Sequence, residues 1–228
     1  MNSKDDKSHF IGHRQRLKEK ISSNAGILRD YEMLEALLFY VFPRKDTKRL
    51  AKDLLLKFKT LKNIIFAESS EIEEIKGLGK STSFLFKVIR ELFPRILKDE
   101  IANFPVISTS EHVQNYYKTI LETLKKEQLR IMFLNNKNKL ILERIIQEGT
   151  INQTAIYPRE IVQVALNCGA SGIILVHNHP SGDASPSRQD ILITKRIKEI
   201  MGKLEIHVLD HLIIGHNQVT SLRDAKLI

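Results

Sequence analysis

The segment SGIILVHNHPSGDASPSRQD, residues Ser171–Asp190, joins an apolar strand pattern to a polar stretch rich in turn residues. Its first part, GIILVH, has the continuous apolar run of a buried strand. Because residues i and i+2 of a strand point to the same face, His177 and His179 present two imidazoles together where this strand ends. Pro180 and Gly182 then favour a turn that folds the chain back.

A zinc site is one interpretation of these side chains. Neutral imidazoles suit Zn²⁺, and the turn can bring the carboxylate of Asp190, at the start of the next predicted helix, alongside them. Three protein ligands leave a fourth tetrahedral position open, as in catalytic rather than structural zinc sites. The alternative is that His177 and His179 only terminate a strand, and a bare His-x-His pair favours that alternative.

The sequence around this segment predicts an α/β domain over residues 106–228. The stretch RIMFLNNKNKLILERIIQEG predicts two strands about an Asn/Lys turn, and PREIVQVALNCG predicts a helix that ends at Gly169. A helix, QDILITKRIKEIMG, and two further strands, in IHVLDHLIIG and NQVTSL, follow the histidines.

Residues 1–100 predict a small all-helical domain. Apolar residues recur at three- and four-residue spacing in DYEMLEALLFYVFP, DTKRLAKDLLLKF and STSFLFKVIRELF, with Asp30, Asp46 and Ser81 as expected N-caps. Pro94 and Pro105 flank a polar stretch after the last helical pattern, which places the domain boundary there. The chain is therefore expected to be an α+β protein of two domains.

A glycine-rich turn in the helical half is a candidate DNA contact. Gly77 and Gly79 lie between two helical patterns, and Leu78 can fill the gap between the helices. This resembles a helix-hairpin-helix motif, in which backbone N–H groups hold a DNA phosphate without reading a base. Lys76 and Lys80 would assist, although many such turns simply join two helices.

The charge distribution agrees with a nucleic-acid partner. The formal net charge is +9, and residues 1–100 hold 21 Lys and Arg against 15 Asp and Glu, whereas residues 101–228 hold 15 against 12. The single cysteine, Cys168, excludes an intrachain disulfide and fits a reducing, cytoplasmic location. No signal sequence and no apolar run of roughly 18 residues is present, so we expect no membrane association.

The pattern His-x-His-Pro-x6-Ser-x2-Asp, formed by His177, His179, Pro180, Ser187 and Asp190, resembles the JAMM motif of the MPN metalloproteases. The wider sequence, from GTINQTAIYPREIVQ to VLDHLIIG, with GHRQRLKEK and DYEMLEALLF upstream, is similar to the bacterial RadC family over nearly the whole chain. In one departure, a lysine at position 59 of LLLKFKTL replaces the glycine usual in relatives.

The resemblance implies an MPN fold with a mixed, cytidine-deaminase-like sheet, and Zn²⁺ held by the two histidines and Asp190. It also implies an upstream glutamate that acts as general base on the zinc-bound water, for which Glu127 is the best match and Glu148 and Glu160 are rivals. Ser187 corresponds to the serine that donates to the developing oxyanion, although it would also make a good helix N-cap.

The implied activity is hydrolysis of an amide bond by a zinc-dependent peptidase or isopeptidase associated with DNA. The alternative is a DNA-binding protein of repair or recombination with a structural or inactive metal site. A nuclease ranks third, because no second metal site is evident. Asp210 and His211 also resemble RadC residues, and since neighbours on a strand point to opposite faces, at most one of them should face the metal.

Overall fold

The computed structural model describes residues 5–103, 105, 110–149 and 156–228. By its internal contacts the chain divides into two compact units, Met1–Leu92 and Phe93–Ile228. This division falls inside a continuous helix, so the boundary expected at residues 101–105 stays a prediction. Within the described residues, no helix is both long enough and apolar enough to cross a bilayer.

The first unit is helical, as predicted. Its helices are α1 (Asp5–Asn24), followed by a 3₁₀ turn (Ala25–Ile27), α2 (Asp30–Val41), α3 (Lys48–Phe58), α4 (Leu61–Phe66), α5 (Ser69–Glu73) and the start of α6 (Lys80–Asn103). Their apolar faces enclose one core, centred on Leu34, Leu38, Leu54, Ile64 and Phe86. The periodicity of the sequence therefore located the buried faces correctly.

Two predictions about helix ends were wrong. The pattern was expected to end before Pro94, yet α6 continues through this proline to Asn103. An interior proline removes its own N–H bond and crowds the carbonyl four residues back, yet the apolar residues on both sides keep the helical spacing, so their packing outweighs this cost. Asp30 and Ser81 lie inside their helices rather than at the N-cap, and the N-cap of α3 is Thr47 rather than Asp46, although the Asp46 carboxylate accepts a hydrogen bond from the Lys48 N–H, 2.9 Å away.

The glycine-rich turn joins α5 to α6. Gly77 has a φ of +97° and a Cβ there would lie 3.0 Å from the Lys45 Nζ, so the position requires glycine. Leu78 is buried in the core of the unit, as expected for a residue that fills the gap between helices. Lys76, Gly79 and Lys80 are exposed around this turn, at the N-terminus of α6.

The second unit is built on a five-stranded mixed sheet of order β2-β1-β3-β4-β5. Its elements are α7 (Ser110–Leu121), β1 (Glu127–Leu134), β2 (Leu140–Gly149), α8 (Pro158–Cys168), β3 (Gly172–Asn178), α9 (Arg188–Gly202), β4 (His207–Ile214) and β5 (Val219–Ser221). β3 pairs antiparallel with β1 and parallel with β4, so α9 is the crossover between parallel strands. The expected α+β fold class is confirmed.

Helices cover both faces of this sheet. On one face α7 packs Tyr117 and Leu121 against Met132 and Val176, and on the other face α8 and α9 cover a cluster that includes Ile131. β3 is buried at every position because it is central and covered on both sides, which explains its unbroken apolar run. The strand thus delivers its last residues to the sheet edge from a rigid interior.

Candidate metal centre

Three elements of the second unit bring polar side chains to one point. β3 ends with His177 on the face covered by α9, the turn after it carries His179, and α9 begins beside them with Asp190 in its first turn. β1 lies next to β3 and contributes Glu127 from its first residue. The carboxyl end of β3 is therefore the place where the candidate ligands meet.

The side-chain distances are those of a compact cluster. The Nε2 atoms of His177 and His179 lie 2.9 Å apart. The Asp190 carboxylate lies 3.4 Å from the Nε2 of His177 and 3.6 Å from the Nε2 of His179. Glu127 Oε1 lies 4.0 Å from the Nε2 of His177. All four predicted residues thus surround one small volume.

A chain of hydrogen bonds fixes the tautomer of His177. The Thr194 hydroxyl donates to the Asp190 carbonyl oxygen, so it can only accept from His211 Nδ1, which lies 2.6 Å away. Neutral His211 then has a lone pair on Nε2, and this atom accepts from the Nδ1–H of His177 over 2.7 Å. Burial lowers the pKa of His177 to about 4, so the ring is neutral and its Nε2 offers a lone pair.

His179 is oriented in a similar way from the other side. Its Nδ1 lies 2.7 Å from the carbonyl oxygen of Asp183, which can only accept, so the proton of the neutral ring sits on Nδ1. The Nε2 of His179 therefore also presents a lone pair, toward the Nε2 of His177. Two facing lone pairs at 2.9 Å repel unless a cation lies with them. A hydrogen bond to the Asp190 carboxylate raises the pKa of His179, against the opposing effect of burial, and a proton on this Nε2 is therefore one cation that the pair can hold.

Asp190 is held by the helix that it begins. Ser187 is the N-cap of α9: its hydroxyl accepts from the Asp190 N–H, and its own N–H donates to the Asp190 carboxylate, 2.7 Å away. Burial works against ionisation, but the neighbouring His179 and His177 hold the pKa of Asp190 well below its usual range. Asp190 is therefore an anion in a fixed orientation beside both imidazoles.

Glu127 has a different environment. It is half-buried, and this burial raises its pKa to about 7, with a smaller raising effect from the Asp190 charge. A proton can therefore enter or leave this carboxyl near neutral pH. A cation among the histidines would favour the ionised form, as an opposite charge does at this distance.

Asp190 and Glu127 lie at different distances from the two histidines. Atoms bound at about 2.0–2.2 Å to a tetrahedral ion lie about 3.3–3.6 Å from one another, so the two imidazole Nε2 atoms, 2.9 Å apart, must separate by a few tenths of an ångström to bind one ion. Asp190 meets this condition toward both histidines, whereas Glu127, 4.0 Å from His177, lies where a hydrogen bond to a ligand reaches. Among the described residues, Glu127, His177 and His179 do form a group with all donor atoms within 4.8 Å, so Glu127 is also a possible ligand. The donor set fits a metal ion under either assignment.

The rival residues lie elsewhere. Glu148 is exposed on β2 and accepts from the Gln128 side chain, and Glu160 is exposed in the first turn of α8. Of the Asp-His pair, His211 reaches the site through His177, while Asp210 accepts from the Ser221 hydroxyl and the Arg223 N–H. This agrees with the expectation that at most one of the two faces the metal.

Two residues of the site were not identified from the sequence. Thr194 completes the chain from His211 to Asp190, and its position four residues after Asp190 on α9 was the available signal, since such residues share a helix face. The second is Asn178, whose carboxamide bonds to the main chain on both sides of Glu127, at Lys126 and Gln128.

A comparison with known families agrees with this geometry. A family model of the RadC-like JAB domain matches residues 107–227, which include the sheet, α9 and every residue of the candidate centre. The matched region is more than half of the chain, and the protein therefore belongs to the RadC family.

Proposed function

We propose that the protein is a zinc-dependent hydrolase of amide bonds, of the peptidase or isopeptidase type. The observation that carries the proposal is the pair of imidazole Nε2 atoms, 2.9 Å apart, that present lone pairs to each other beside an ionised carboxylate. Two imidazoles and one carboxylate are a usual protein ligand set for catalytic Zn²⁺. His177, His179 and Asp190 would hold the ion, which when bound supplies Lewis acidity toward water and a carbonyl oxygen.

The chain's own residues would move the protons. Glu127 would take a proton from the attacking water and later give it to the leaving amine, and a carboxyl that titrates near neutral pH suits both steps. Ser187 accepts the Asp190 N–H, which leaves its own O–H proton available to donate to the oxygen that gains charge. Such a contact contributes about 3 kcal/mol in other hydrolases.

The test is peptide hydrolysis by paired variants. Wild type, Glu127→Gln and Glu160→Gln are loaded with zinc, and cleavage of a mixed peptide library and of an isopeptide-linked lysine peptide is followed by mass spectrometry. We expect cleavage by wild type and Glu160→Gln, and a loss of at least about 100-fold for Glu127→Gln with its zinc retained. Equal rates in all three proteins, or zinc-loaded wild type without any cleavage, would contradict the proposal.

A second function is proposed for the helical unit, namely sequence-independent binding to DNA. The Gly77–Gly79 turn leaves the N-terminus of α6 exposed between Lys76 and Lys80, and Lys45 Nζ lies close to Gly77. Backbone N–H groups and three ammonium groups at one turn favour a phosphate. A cytoplasmic location, where DNA and a reducing environment coincide, is part of this proposal.

Salt dependence tests the DNA contact. Binding of labelled duplex DNA is measured by fluorescence anisotropy at several salt concentrations for wild type, for Lys76→Glu/Lys80→Glu, and for Lys195→Glu/Lys198→Glu on α9 as a control of equal charge. We expect only the first pair to lower the slope of log K against log salt, by about 1 for each DNA phosphate that the protein no longer neutralises. Equal decreases for both pairs would indicate a general charge effect and exclude a site at this turn.

A further inference from the structure

Asn178, the residue between the two histidines, is almost completely buried, and both ends of its carboxamide have partners in the main chain around Glu127, where β1 begins. Its Oδ1 accepts from the Gln128 N–H at 2.9 Å, and its Nδ2 donates to the Lys126 carbonyl oxygen at 3.1 Å. These two groups belong to the peptide bonds on either side of Glu127. One side chain therefore holds both peptide planes that meet at the Glu127 Cα.

The backbone pairing explains why this contact is needed. The ladder between β1 and β3 ends at Leu129 opposite His177, two residues short of Glu127. The β3 chain then turns toward β4, where the His179 N–H donates to the Ile214 carbonyl oxygen. On the β3 side, the main chain around Glu127 is thus paired with a side chain instead of a strand.

We propose that Asn178 is a positioning residue, which fixes the backbone of Glu127 and so sets the distance of its carboxylate from the two histidines. The inference rests on the proposed function, because it assigns Asn178 a role through the proposed general base. The two hydrogen bonds between the Asn178 side chain and the main chain around Glu127 form what we call the Asn178 clamp. Since Asn178 follows His177 directly and precedes His179, the same strand end carries both imidazoles and this clamp. The residue that holds the Glu127 backbone therefore lies in the same short segment as the two proposed histidine ligands.

The chemistry of the side chain is specific. Only a carboxamide offers an acceptor and a donor side by side at this length: aspartate lacks the donor, leucine has the same shape without either, and glutamine is one methylene longer. Loss of the clamp lets the Glu127 backbone rotate. A misplacement of about 1 Å in a catalytic group can reduce a rate about 100-fold.

Amide exchange tests the clamp without any substrate. Zinc-free and zinc-loaded proteins labelled with ¹⁵N are compared by NMR as wild type, Asn178→Leu, Asn178→Ala and Asn135→Leu. Asn135 is the matched control, because its carboxamide accepts two backbone N–H groups at the other end of β1. For Asn178→Leu and Asn178→Ala, which both remove the acceptor of the Gln128 N–H, we expect exchange to rise about tenfold at Gln128 and its neighbours and to stay unchanged in the rest of the sheet.

Kinetics then test whether the clamp acts through Glu127. On the library peptide that wild type cleaves fastest, Asn178→Leu should lose about 100-fold in kcat, with KM and zinc content unchanged, and Asn135→Leu should match wild type. When Glu127→Gln is already present, adding Asn178→Leu should not lower the remaining kcat further. A kcat loss that adds fully in both backgrounds would leave the proposed hydrolase intact and overturn the positioning role.

The two proposals fail in different ways. If zinc-loaded wild type cleaves nothing, the hydrolase proposal fails, and the exchange data alone decide whether Asn178 holds the Glu127 backbone. Exchange at Gln128 that is unchanged in the Asn178 variants, or raised throughout the sheet, overturns the inference. Should Asn178→Leu not fold, Asn178→Ala gives the same decision, since it removes both the acceptor and the donor and adds no bulk.

Discussion

The Nε2 atom of His177 faces the Nε2 atom of His179 across 2.9 Å, with the Nδ1 of each ring bonded to a partner behind it. This arrangement is unfavourable without a cation, so metal binding should stabilise the fold. With zinc about 100-fold above its Kd, the free energy of unfolding should rise by at most about 2.7 kcal/mol, because zinc bound to the unfolded chain reduces the effect; this limit corresponds to about 5–10 °C in Tm.

Thermal unfolding with zinc and with a chelator measures this effect. His179→Ala should show no zinc-dependent change in Tm, whereas His207→Ala, an exposed histidine at the start of β4, should respond as wild type does. A Tm that zinc raises equally in all three proteins would place the bound metal elsewhere.

The roles of the two carboxylates can be separated by metal content. Asp190 lies 3.4 and 3.6 Å from the imidazoles, and Glu127 lies 4.0 Å from the nearer one. Asp190→Asn should therefore lose most of the zinc, while its amide oxygen can still accept the Ser187 N–H and preserve the helix cap. Glu127→Gln should retain stoichiometric zinc by mass spectrometry. The reverse result would make Glu127 a ligand and remove it as the base.

Thr194→Val should weaken metal binding without direct contact to the metal. The change keeps the shape of the side chain but removes the acceptor for the His211 Nδ1–H, and with it the orientation of His177. Loss of such a partner typically costs 10- to 100-fold in affinity, roughly, and a competition assay with a zinc indicator measures it. Thr119→Val is the control, since the Thr119 hydroxyl also donates to a carbonyl four residues back on a helix; equal affinity in both variants refutes the role of Thr194.

Lys59→Gly should stabilise the helical unit. Lys59 follows α3 with a φ of +71°, which a side chain with a Cβ adopts at a cost of about 1 kcal/mol or more. Glycine removes this strain, and the net gain should be about 1 kcal/mol in urea unfolding. Lys52 is exposed within α3, and Lys52→Gly should instead lower the free energy of unfolding by about 1 kcal/mol, because glycine disfavours the helix interior. If Lys59→Gly lowers the free energy of unfolding as much as Lys52→Gly does, the turn at Lys59 is not strained.

The stability of the sheet unit should depend on the charge of Glu143. Burial disfavours this carboxylate, but hydrogen bonds from Tyr116 and Arg130 and the charge of Lys98 hold its pKa below 4.5. Because the folded pKa is the lower one, its contribution is fully present above pH 4.5 and is lost as the pH falls through the folded pKa.

Glu143→Gln leaves the Arg130 charge uncompensated in a buried site. This change should therefore lower the free energy of unfolding by about 2–4 kcal/mol at pH 7. The difference from wild type should shrink as the pH falls below 4.5 and through the folded pKa of Glu143, which urea unfolding at several pH values can measure. Glu199→Gln, which breaks an exposed pair with Lys203, should cost less than about 1 kcal/mol. A Glu143→Gln difference that does not vary with pH contradicts this account.

Much of the fold was predictable because local spacing determines it. The unbroken apolar run of β3, the Asn/Lys turn before β2 and the end of α8 at Gly169 each depend on nearby residues, and all three are confirmed. α7 was not predicted, since SEHVQNYYKTIL mixes polar residues with the two tyrosines whose burial against the sheet defines its inner face. That burial comes from tertiary packing.

Local sequence likewise predicted only part of the candidate site. His177, His179 and Asp190 lie within one segment, so spacing and turn residues were enough to propose that they meet. Glu127 stands fifty residues before His177, and its place depends on the pairing of Leu129 with His177, a register that no local pattern contains. Only the family resemblance selected it over Glu148 and Glu160. Thr194 and Asn178 act through bonds to main-chain atoms, which residue types alone do not reveal.

The position of the capped helix start has a consequence for the order in which the centre assembles. His177, His179 and Asp190 all come from residues 177–190, so even the unfolded chain can chelate an ion with a short loop. Glu127 and the orienting His211 join only when β1 and β4 dock on either side of β3. Capture of the proposed metal would thus precede folding, and the pairing of the strands would then add Glu127, the proposed acid-base group, to the ligands.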